Sequence, residues 1–241
     1  MASANAPAPF SAVCLDFSDT LFWRDGAARI MVLAAEHGIT VPVSTAGGLW
    51  SRIRDASRTP EELAKRRDCS AEAHRSCWTA LYRPVDVLAP GLDPLLSERL
   101  YDDQRNPVGW HAFPDTVEVL RALHAAGVPL AVVSDIGWDV RPIFAHHGVA
   151  DCIRTWVLSF AHGTEKPDPQ LFTVACDVLG QAPSSTLMIG DSVHKDGGAS
   201  RAGLTAIVLP DWPGVGPRGL RAVLSLTGAE PPVTSGNPRS G

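Results

Sequence analysis

The chain has 241 residues, of which 45% are hydrophobic and 20% charged, and its net charge is −5. This composition is typical of a globular protein with one substantial core and a smaller accessory unit. The acidic balance gives no reason to expect nucleic acid or an anionic membrane as a partner, and no apolar run reaches the length of a membrane span. The five scattered cysteines, without a CxxC pair, favour reduced thiols in a cytoplasm over zinc or disulfides.

The first half of the chain begins with one strand-like run and continues with helical patterns. Residues 1–9 lack the basic start of a signal peptide, and we expect a disordered tail there. The apolar run Ser11–Leu15 ends at Asp16 and predicts a buried strand. Residues 24–109 then predict an all-helical insertion, with helices over Ala27–His37, Ala46–Ser57, Pro60–Arg83 and Pro94–Gln104.

The second half alternates between strand-like runs and helical patterns. This alternation predicts an α/β fold, a parallel sheet with helices on both faces, built from residues 10–23 and 110–226. We expect a last short helix over Arg218–Leu226 and a disordered tail over 227–241. The predicted strands are Leu130–Val133, Thr155–Leu158, Leu187–Gly190 and Thr205–Leu209.

Polar residues follow the predicted strands at the points where the strands end. Ligands of open parallel sheets collect at the carboxyl ends of the strands, so we expect these side chains to converge. They are Asp16 after the first strand, Ser134 and Asp135 after the second, Lys166 in the loop past the third, and Asp191 and Asp196 after the fourth.

These residue types suit phosphoryl transfer. The carboxylate of Asp16 can attack phosphorus and form an acyl-phosphate that water cleaves, while Lys166 and a divalent cation offset the negative charge. Mg²⁺ prefers oxygen ligands. We expect them from the Asp16 and Asp191 carboxylates and the Ser18 carbonyl, with an outer contact from Asp196. Ser134 would hydrogen-bond the phosphoryl oxygens.

Four segments, LDFSDTLF, VVSDIGW, EKPDP and IGDSVHKDGG, resemble the four ordered motifs of the haloacid dehalogenase (HAD) superfamily, over roughly Val13 to Leu209. The resemblance implies a Rossmann-like core, an aspartyl-enzyme intermediate, usually Mg²⁺, and a helical cap of the first type at 24–109. Thr20 fits the last position of the first motif. With Ser134 and Asp135 we place it among the expected substrate-binding residues.

Ser18 departs from the pattern of the family's phosphatases, which carry a second Asp two residues after the nucleophile to protonate the leaving group. Ser18 therefore stands at a catalytic position without useful acidity, and general acid help is worth about 10²- to 10⁴-fold. Asp19 is one residue along and is expected to face away, because side chains alternate in an extended segment, unless a turn re-aims it.

Three functions stay open at this point. The first is a Mg²⁺-dependent phosphatase acting on a small organic phosphate. The second is a related hydrolase of C–P or C–halogen bonds, in which Lys65 of the insertion could form a Schiff base with the substrate. The third is a weakly catalytic binding protein, because Ser18 replaces the usual acid. The sequence does not indicate an oligomeric state.

Overall fold

The computed structural model describes residues 8–210 and 216–230, so most of the two predicted tails lies outside the described residues. The ordered chain continues past 226, because Thr227 ends the last helix and the side chain of Ala229 is buried. The disordered tail predicted from 227 is therefore wrong at its first residues.

Short strands and helices follow one another along the chain, with 3₁₀ helices between some of them. The strands are β1 (Ala12–Leu15), β2 (Phe22–Arg24), β3 (Trp110–Ala112), β4 (Leu130–Ser134), β5 (Thr155–Leu158), β6 (Thr186–Gly190) and β7 (Thr205–Val208). The helices are α1 (Gly26–Ala35), α2 (Val43–Ser57), α3 (Pro60–Leu63), α4 (Ala71–Tyr82), α5 (Leu96–Asp102), α6 (Thr116–Ala125), α7 (Arg141–His146), α8 (Ser159–His162), α9 (Pro169–Leu179) and α10 (Ala222–Thr227).

Within the described residues, five strands form a parallel sheet in the order β5-β4-β1-β6-β7. The first strand is central, and Cys14 pairs with Ala131 on one side and Met188 on the other. A central strand flanked by later ones brings the ends of β1, β4 and β6 together at one edge, where ligands of such sheets bind. The predicted parallel sheet is confirmed.

Alternate residues of the strands face two separate hydrophobic clusters. On one face Val13 and Leu15 pack with α6, α7 and α10. On the other face Ala12 and Cys14 pack with α9 and with Ala199 of the 3₁₀ helix Asp196–Ala202. Both faces of the sheet are thus covered by helices, which explains why its strands are almost continuously apolar.

The segment between β2 and β3 is helical and has a hydrophobic cluster of its own, formed by side chains such as Ile30, Leu49 and Leu100. The single helix predicted over Pro60–Arg83 is wrong, because α3 and α4 are separated by 64–70, where Ser70 caps α4 by accepting a hydrogen bond from the Ala73 N–H. No helix of the described chain is both long and apolar enough to cross a membrane.

The chain enters and leaves this helical insertion through two short antiparallel strands that the sequence did not predict. In this pairing, Arg24 of β2 lies opposite Trp110 of β3. Three residues are too few to show a period of two, so the pattern carried no signal. The strand β2 also moves the start of the insertion past Arg24, which the prediction had assigned to the insertion.

Candidate active site

Three carboxylates meet at the carboxyl edge of the sheet. Asp16 follows β1, Asp191 follows β6, and Asp196 lies at the start of a 3₁₀ helix. One carboxylate oxygen of each lies within 4.8 Å of the others. The structure therefore brings together the three acidic residues that the sequence placed at the metal site.

The ammonium group of Lys166 lies inside this group of acids. Its Nζ atom is 2.8 Å from Oδ1 of Asp16 and 2.5 Å from Oδ1 of Asp196. The lysine is 3% exposed, so these hydrogen bonds form away from water and are strong. Three carboxylates and one ammonium leave this buried group with a surplus of negative charge.

The pKa values of the carboxyl groups are raised, in part by this surplus of negative charge. Burial raises the pKa of Asp16 to about 7, with further upward contributions from the charges of Asp196 and Asp191, against the lowering effect of Lys166. Burial and the charge of Asp19 raise the pKa of Asp191 to about 6. Crowded oxygen ligands with excess negative charge are what a divalent cation such as Mg²⁺ requires, so these residues fit the metal that the sequence predicted.

Asp196 is fixed from its other side by backbone. Its Oδ2 atom accepts a hydrogen bond of 2.9 Å from the Ser192 N–H. Gly190 makes the room for this side chain, because a Cβ atom there would lie 2.1 Å from Cγ of Asp196. A glycine at the end of β6 is therefore required for the packing of the Asp196 side chain.

The second motif contributes a hydroxyl group and a positioning carboxylate. Ser134 is buried and lines the same cavity as the three acids. The Oδ1 atom of Asp135 accepts a 2.9 Å hydrogen bond from the Lys166 N–H, and its Oδ2 atom lies 2.9 Å from Nζ of Lys195. Asp135 was predicted to bind substrate, and in the structure its carboxylate orients two lysines.

Lys195 is a site residue that the sequence analysis missed. Besides Asp135, its ammonium contacts Asp68 of the helical insertion at 3.1 Å. The position next to Asp196 in the fourth motif was the available signal. Its partner Asp68 could not be found because that contact spans 127 residues.

The loop after β1 turns sharply, and this changes the expectation for Asp19. Asp19 has a φ of 58°, in the left-handed region, so the alternation of an extended segment does not apply to it. Asp19 and Ser18 both line the cavity of the three acids, and the expectation that Asp19 faces away is wrong.

Thr20 is fully buried and lines neither of the two cavities that open at this edge, so the structure does not bring this predicted substrate-binding residue to the site.

These two cavities adjoin one another. We call the first, of about 220 Å³, the carboxylate cavity; the acids, Ser134, Lys166 and Lys195 line it. The second, of about 170 Å³, is the aromatic cavity, named for its lining residues Trp50, Trp78, Tyr82 and Trp110. The two share five lining residues, Ser18, Asp19, Ser57, Arg58 and Asp135, so they lie side by side at this edge of the sheet.

The helical insertion is fastened to the sheet through Asp68. Its backbone N–H donates to Oε2 of Glu165 at 2.9 Å, and its carbonyl oxygen accepts from the Ser159 hydroxyl at 2.5 Å. Its carboxylate faces Lys195, and His74 Nε2 lies 3.7 Å from Oδ1. Lys65, in contrast, pairs with Glu62, is half exposed and lines neither cavity.

Comparison with known proteins identifies the family of the chain. A model of the family described as haloacid dehalogenase-like hydrolase matches residues 10–203. The chain is 28% identical over 125 residues to a phosphoglycolate phosphatase from Thiobacillus denitrificans, covering 49% of this chain and 55% of the relative. It spans about half the length of the curated relatives it matches.

Two solved structures show the same fold. A HAD phosphatase from Thermococcus onnurineus aligns with a TM-score of 0.60 and 21% identity, covering 92% of this chain and all of the other. An L-2-haloacid dehalogenase from Xanthobacter autotrophicus aligns with a TM-score of 0.63 and 18% identity, covering 83% and 77%. The fold is thus shared by proteins named for different reactions. On the match over 10–203, this chain belongs to the haloacid dehalogenase-like hydrolase family.

Proposed function

We propose that this hydrolase is a Mg²⁺-dependent phosphatase acting on a small organic phosphate, with Asp16 as its nucleophile. The observation that carries the proposal is the group of three carboxylates, Asp16, Asp191 and Asp196, two of which pair with the buried Lys166. A dehalogenase has no need for so many oxygen ligands, because a halide ion leaves unaided. A Schiff-base reaction through Lys65 is disfavoured by its position outside both cavities.

In the proposed reaction, a carboxylate oxygen of Asp16 attacks phosphorus, and the bond from phosphorus to the ester oxygen breaks. The alkoxide leaves and takes up a proton from water, and a second water molecule then cleaves the aspartyl-phosphate to free phosphate and Asp16. Lys166 holds the Asp16 carboxylate and balances its charge, and Ser134 would donate to a phosphoryl oxygen. Mg²⁺, held by Asp16, Asp191 and the Ser18 carbonyl with Asp196 outside them, would supply further positive charge at the phosphoryl group.

Ser18 limits this chemistry. A seryl hydroxyl cannot protonate the leaving alkoxide near neutral pH, so we expect esters of acidic alcohols, such as phenols, to react faster than esters of alkyl alcohols. The five cysteines are free thiols in the structure, and together with the metabolite-like substrate they support a cytoplasmic location as part of the proposal.

The test is phosphate release from a panel of phosphate esters, with MgCl₂ and with EDTA. We expect release that requires the metal and is lost in Asp191→Asn. An exposed acid such as Asp177 on α9 supplies the matched control, Asp177→Asn. Halide release without metal, together with no phosphate release from any ester, would refute the proposed phosphatase activity and support a dehalogenase.

A further inference from the structure

The aromatic cavity is lined in part by Arg24, a buried arginine with N–H groups that have no hydrogen-bond partner among the described residues. The side chain of Arg24 is 5% exposed and lines the cavity. Its Nη2 atom donates to Oδ2 of Asp103 at 2.6 Å and to the Leu100 carbonyl at 3.5 Å. Its Nε and Nη1 atoms are buried and have no hydrogen-bond partner among the described residues.

The charge around Arg24 is also unbalanced. Asp103 accepts hydrogen bonds from Arg29 as well, at 2.7 Å from Nε and 2.6 Å from Nη2. One carboxylate therefore serves two guanidinium groups, and this buried trio keeps one net positive charge. Buried charges and unpaired donors are costly, and a bound anion would offset both costs.

A third unpartnered donor belongs to a side chain that lines the same cavity. Nε1 of Trp78 is buried and has no partner in the described part of the chain. The rest of the lining combines aromatic and apolar side chains, Trp50, Tyr82 and Ile53 among them, with charged and polar ones nearer the carboxylate cavity, such as Asp19, Arg58 and Asp135. A ligand that fits here has an apolar body and ends in acceptor oxygens.

The size and position of the cavity define that ligand further. About 170 Å³ is close to the cavity of about 150 Å³ that holds a benzene molecule. The cavity adjoins the carboxylate cavity through Ser18, Asp19 and Asp135. A phosphate ester with its phosphoryl group beside Asp16 would therefore place a ring-sized organic group among the aromatic side chains.

We propose that the aromatic cavity binds the organic part of the substrate and that Arg24 pairs with a carboxylate on it. The substrate is then a phosphate monoester of a small hydroxy acid with a ring-sized apolar body. Arg24 is the residue that selects for the acid, through a charge-assisted hydrogen bond from its guanidinium to one carboxylate oxygen. This inference rests on the proposed phosphatase activity, and its test separates the two.

The test compares 4-carboxyphenyl phosphate with 4-carbamoylphenyl phosphate, which has the same shape and no charge. We expect the wild-type protein to prefer the acid by about 10- to 100-fold in kcat/KM, the size of one charge-assisted hydrogen bond. Arg24→Gln should reduce this preference to within about threefold. Arg29→Gln is the comparison variant, because Arg29 shares Asp103 but does not line the cavity; it removes one positive charge and leaves the Arg24 contact, so it should keep more of the preference than Arg24→Gln.

A second variant and a second measurement cover the case in which Arg24→Gln does not fold. Trp78→Phe keeps the ring and removes one donor, and should reduce the preference about fivefold. Binding of benzoate and benzamide, followed by the fluorescence of the lining tryptophans, needs no turnover. Benzoate should bind the wild-type protein at least about tenfold more tightly than benzamide.

The outcomes are distinct. Equal turnover of the two esters, or equal binding of benzoate and benzamide, would overturn the Arg24 assignment and leave the phosphatase proposal intact. Loss of the preference in Arg29→Gln to the same extent as in Arg24→Gln would also overturn it. Benzoate binding that depends on Arg24, without phosphate release from any ester, would support the anion site and refute the phosphatase.

Discussion

The Nζ atom of Lys195, in the loop after β6, lies 3.1 Å from Oδ2 of Asp68 in the helical insertion. The same ammonium is 2.9 Å from Asp135, so one cation serves two buried carboxylates from different parts of the fold. Although burial raises the pKa of Asp68, the charges of Lys195, His74 and Arg67 bring it below its usual value. The ion pair therefore favours the charged carboxylate and joins the insertion to the sheet.

Removing this cation should destabilise the protein strongly. Lys195→Met leaves Asp68 and Asp135 without their shared partner, and breaking a buried pair in this way costs about 3 kcal/mol. Lys65→Met is the control, because the Lys65 ion pair with Glu62 is exposed and worth at most about 0.5 kcal/mol. Urea unfolding of the two variants measures the difference, and equal losses of stability would contradict the role assigned to Lys195.

His74 makes the stability depend on pH. Burial lowers its pKa from 6.5 to about 4, so between these values the unfolded chain takes up a proton that the folded protein excludes. The stability due to His74 is complete above about pH 6.5 and falls as the pH is lowered, by about 2 kcal/mol at pH 5.

The measurement is the free energy of unfolding in urea at about pH 7.5 and pH 5 for the wild-type protein and His74→Gln. Other titrating groups are present in both proteins, so they largely cancel in the comparison. The variant should lose less stability on acidification than the wild-type protein. Parallel pH profiles would show that His74 is not excluded from protonation.

Stabilisation of the protein by Mg²⁺ should increase as the pH rises, whereas stabilisation by protons on the same carboxylates decreases. The pKa values of about 7 for Asp16 and about 6 for Asp191 lie above the usual 3.8. Without metal, the two groups add stability that is present below about pH 4 and lost as the pH rises through 6 and 7. A cation needs the charged carboxylates, so it binds better as that stability is lost.

We therefore expect millimolar MgCl₂ to raise the Tm by about 5 °C at pH 8 and by much less at pH 5. Asp191→Asn should remove the increase at pH 8. An increase of the same size at both pH values would show that the metal does not compete with protons for these carboxylates.

Restoring an acid at position 18 should speed the reaction of esters with poor leaving groups. Ser18→Asp should raise kcat for an alkyl phosphate by up to about 100-fold and have a smaller effect on 4-nitrophenyl phosphate, whose leaving group needs no proton. Ser18→Asn has nearly the same shape and no acidity, and it controls for changes in packing. A flat rate for the alkyl ester in Ser18→Asp would refute the role assigned to Ser18.

Asp16→Asn should abolish turnover while the protein stays folded. The loss in kcat should be at least about 10⁴-fold, as for other nucleophile substitutions, and circular dichroism and Tm should report a folded protein. The 2.8 Å contact to Lys166 lets the amide oxygen of Asn take the place of the carboxylate oxygen. Turnover that survives this change would remove Asp16 as the nucleophile.

The sequence predicted the sheet and the acids at its edge because both depend on local patterns. β1 and β6 are buried on both faces, and an apolar run followed by Asp16 or Asp191 marks where each ends. The residues that it did not predict depend on tertiary contacts. Asp68 lay within a predicted helix, because a charged run such as 65–68 usually forms a solvated helix face, and only tertiary contacts such as those with Lys195 and Glu165 show otherwise.

Arg24 and Asp19 were missed for different physical reasons. Arg24 lies on a strand of three residues, and its partner Asp103 is 79 positions away. Asp19 was judged by the geometry of an extended chain, whereas its backbone turns into the left-handed region. The composition of a segment indicates neither a distant ion-pair partner nor a left-handed backbone conformation.

Lys195 and Asp196 are consecutive, and one fastens the insertion while the other lies among the metal-site carboxylates. A cation that orders this short loop would lower the entropy lost when Lys195 binds Asp68. Thermodynamic reciprocity then requires that the contact between Lys195 and Asp68 increase the affinity for the cation by the same factor. Metal binding and the contact between Lys195 and Asp68 would thus be thermodynamically coupled.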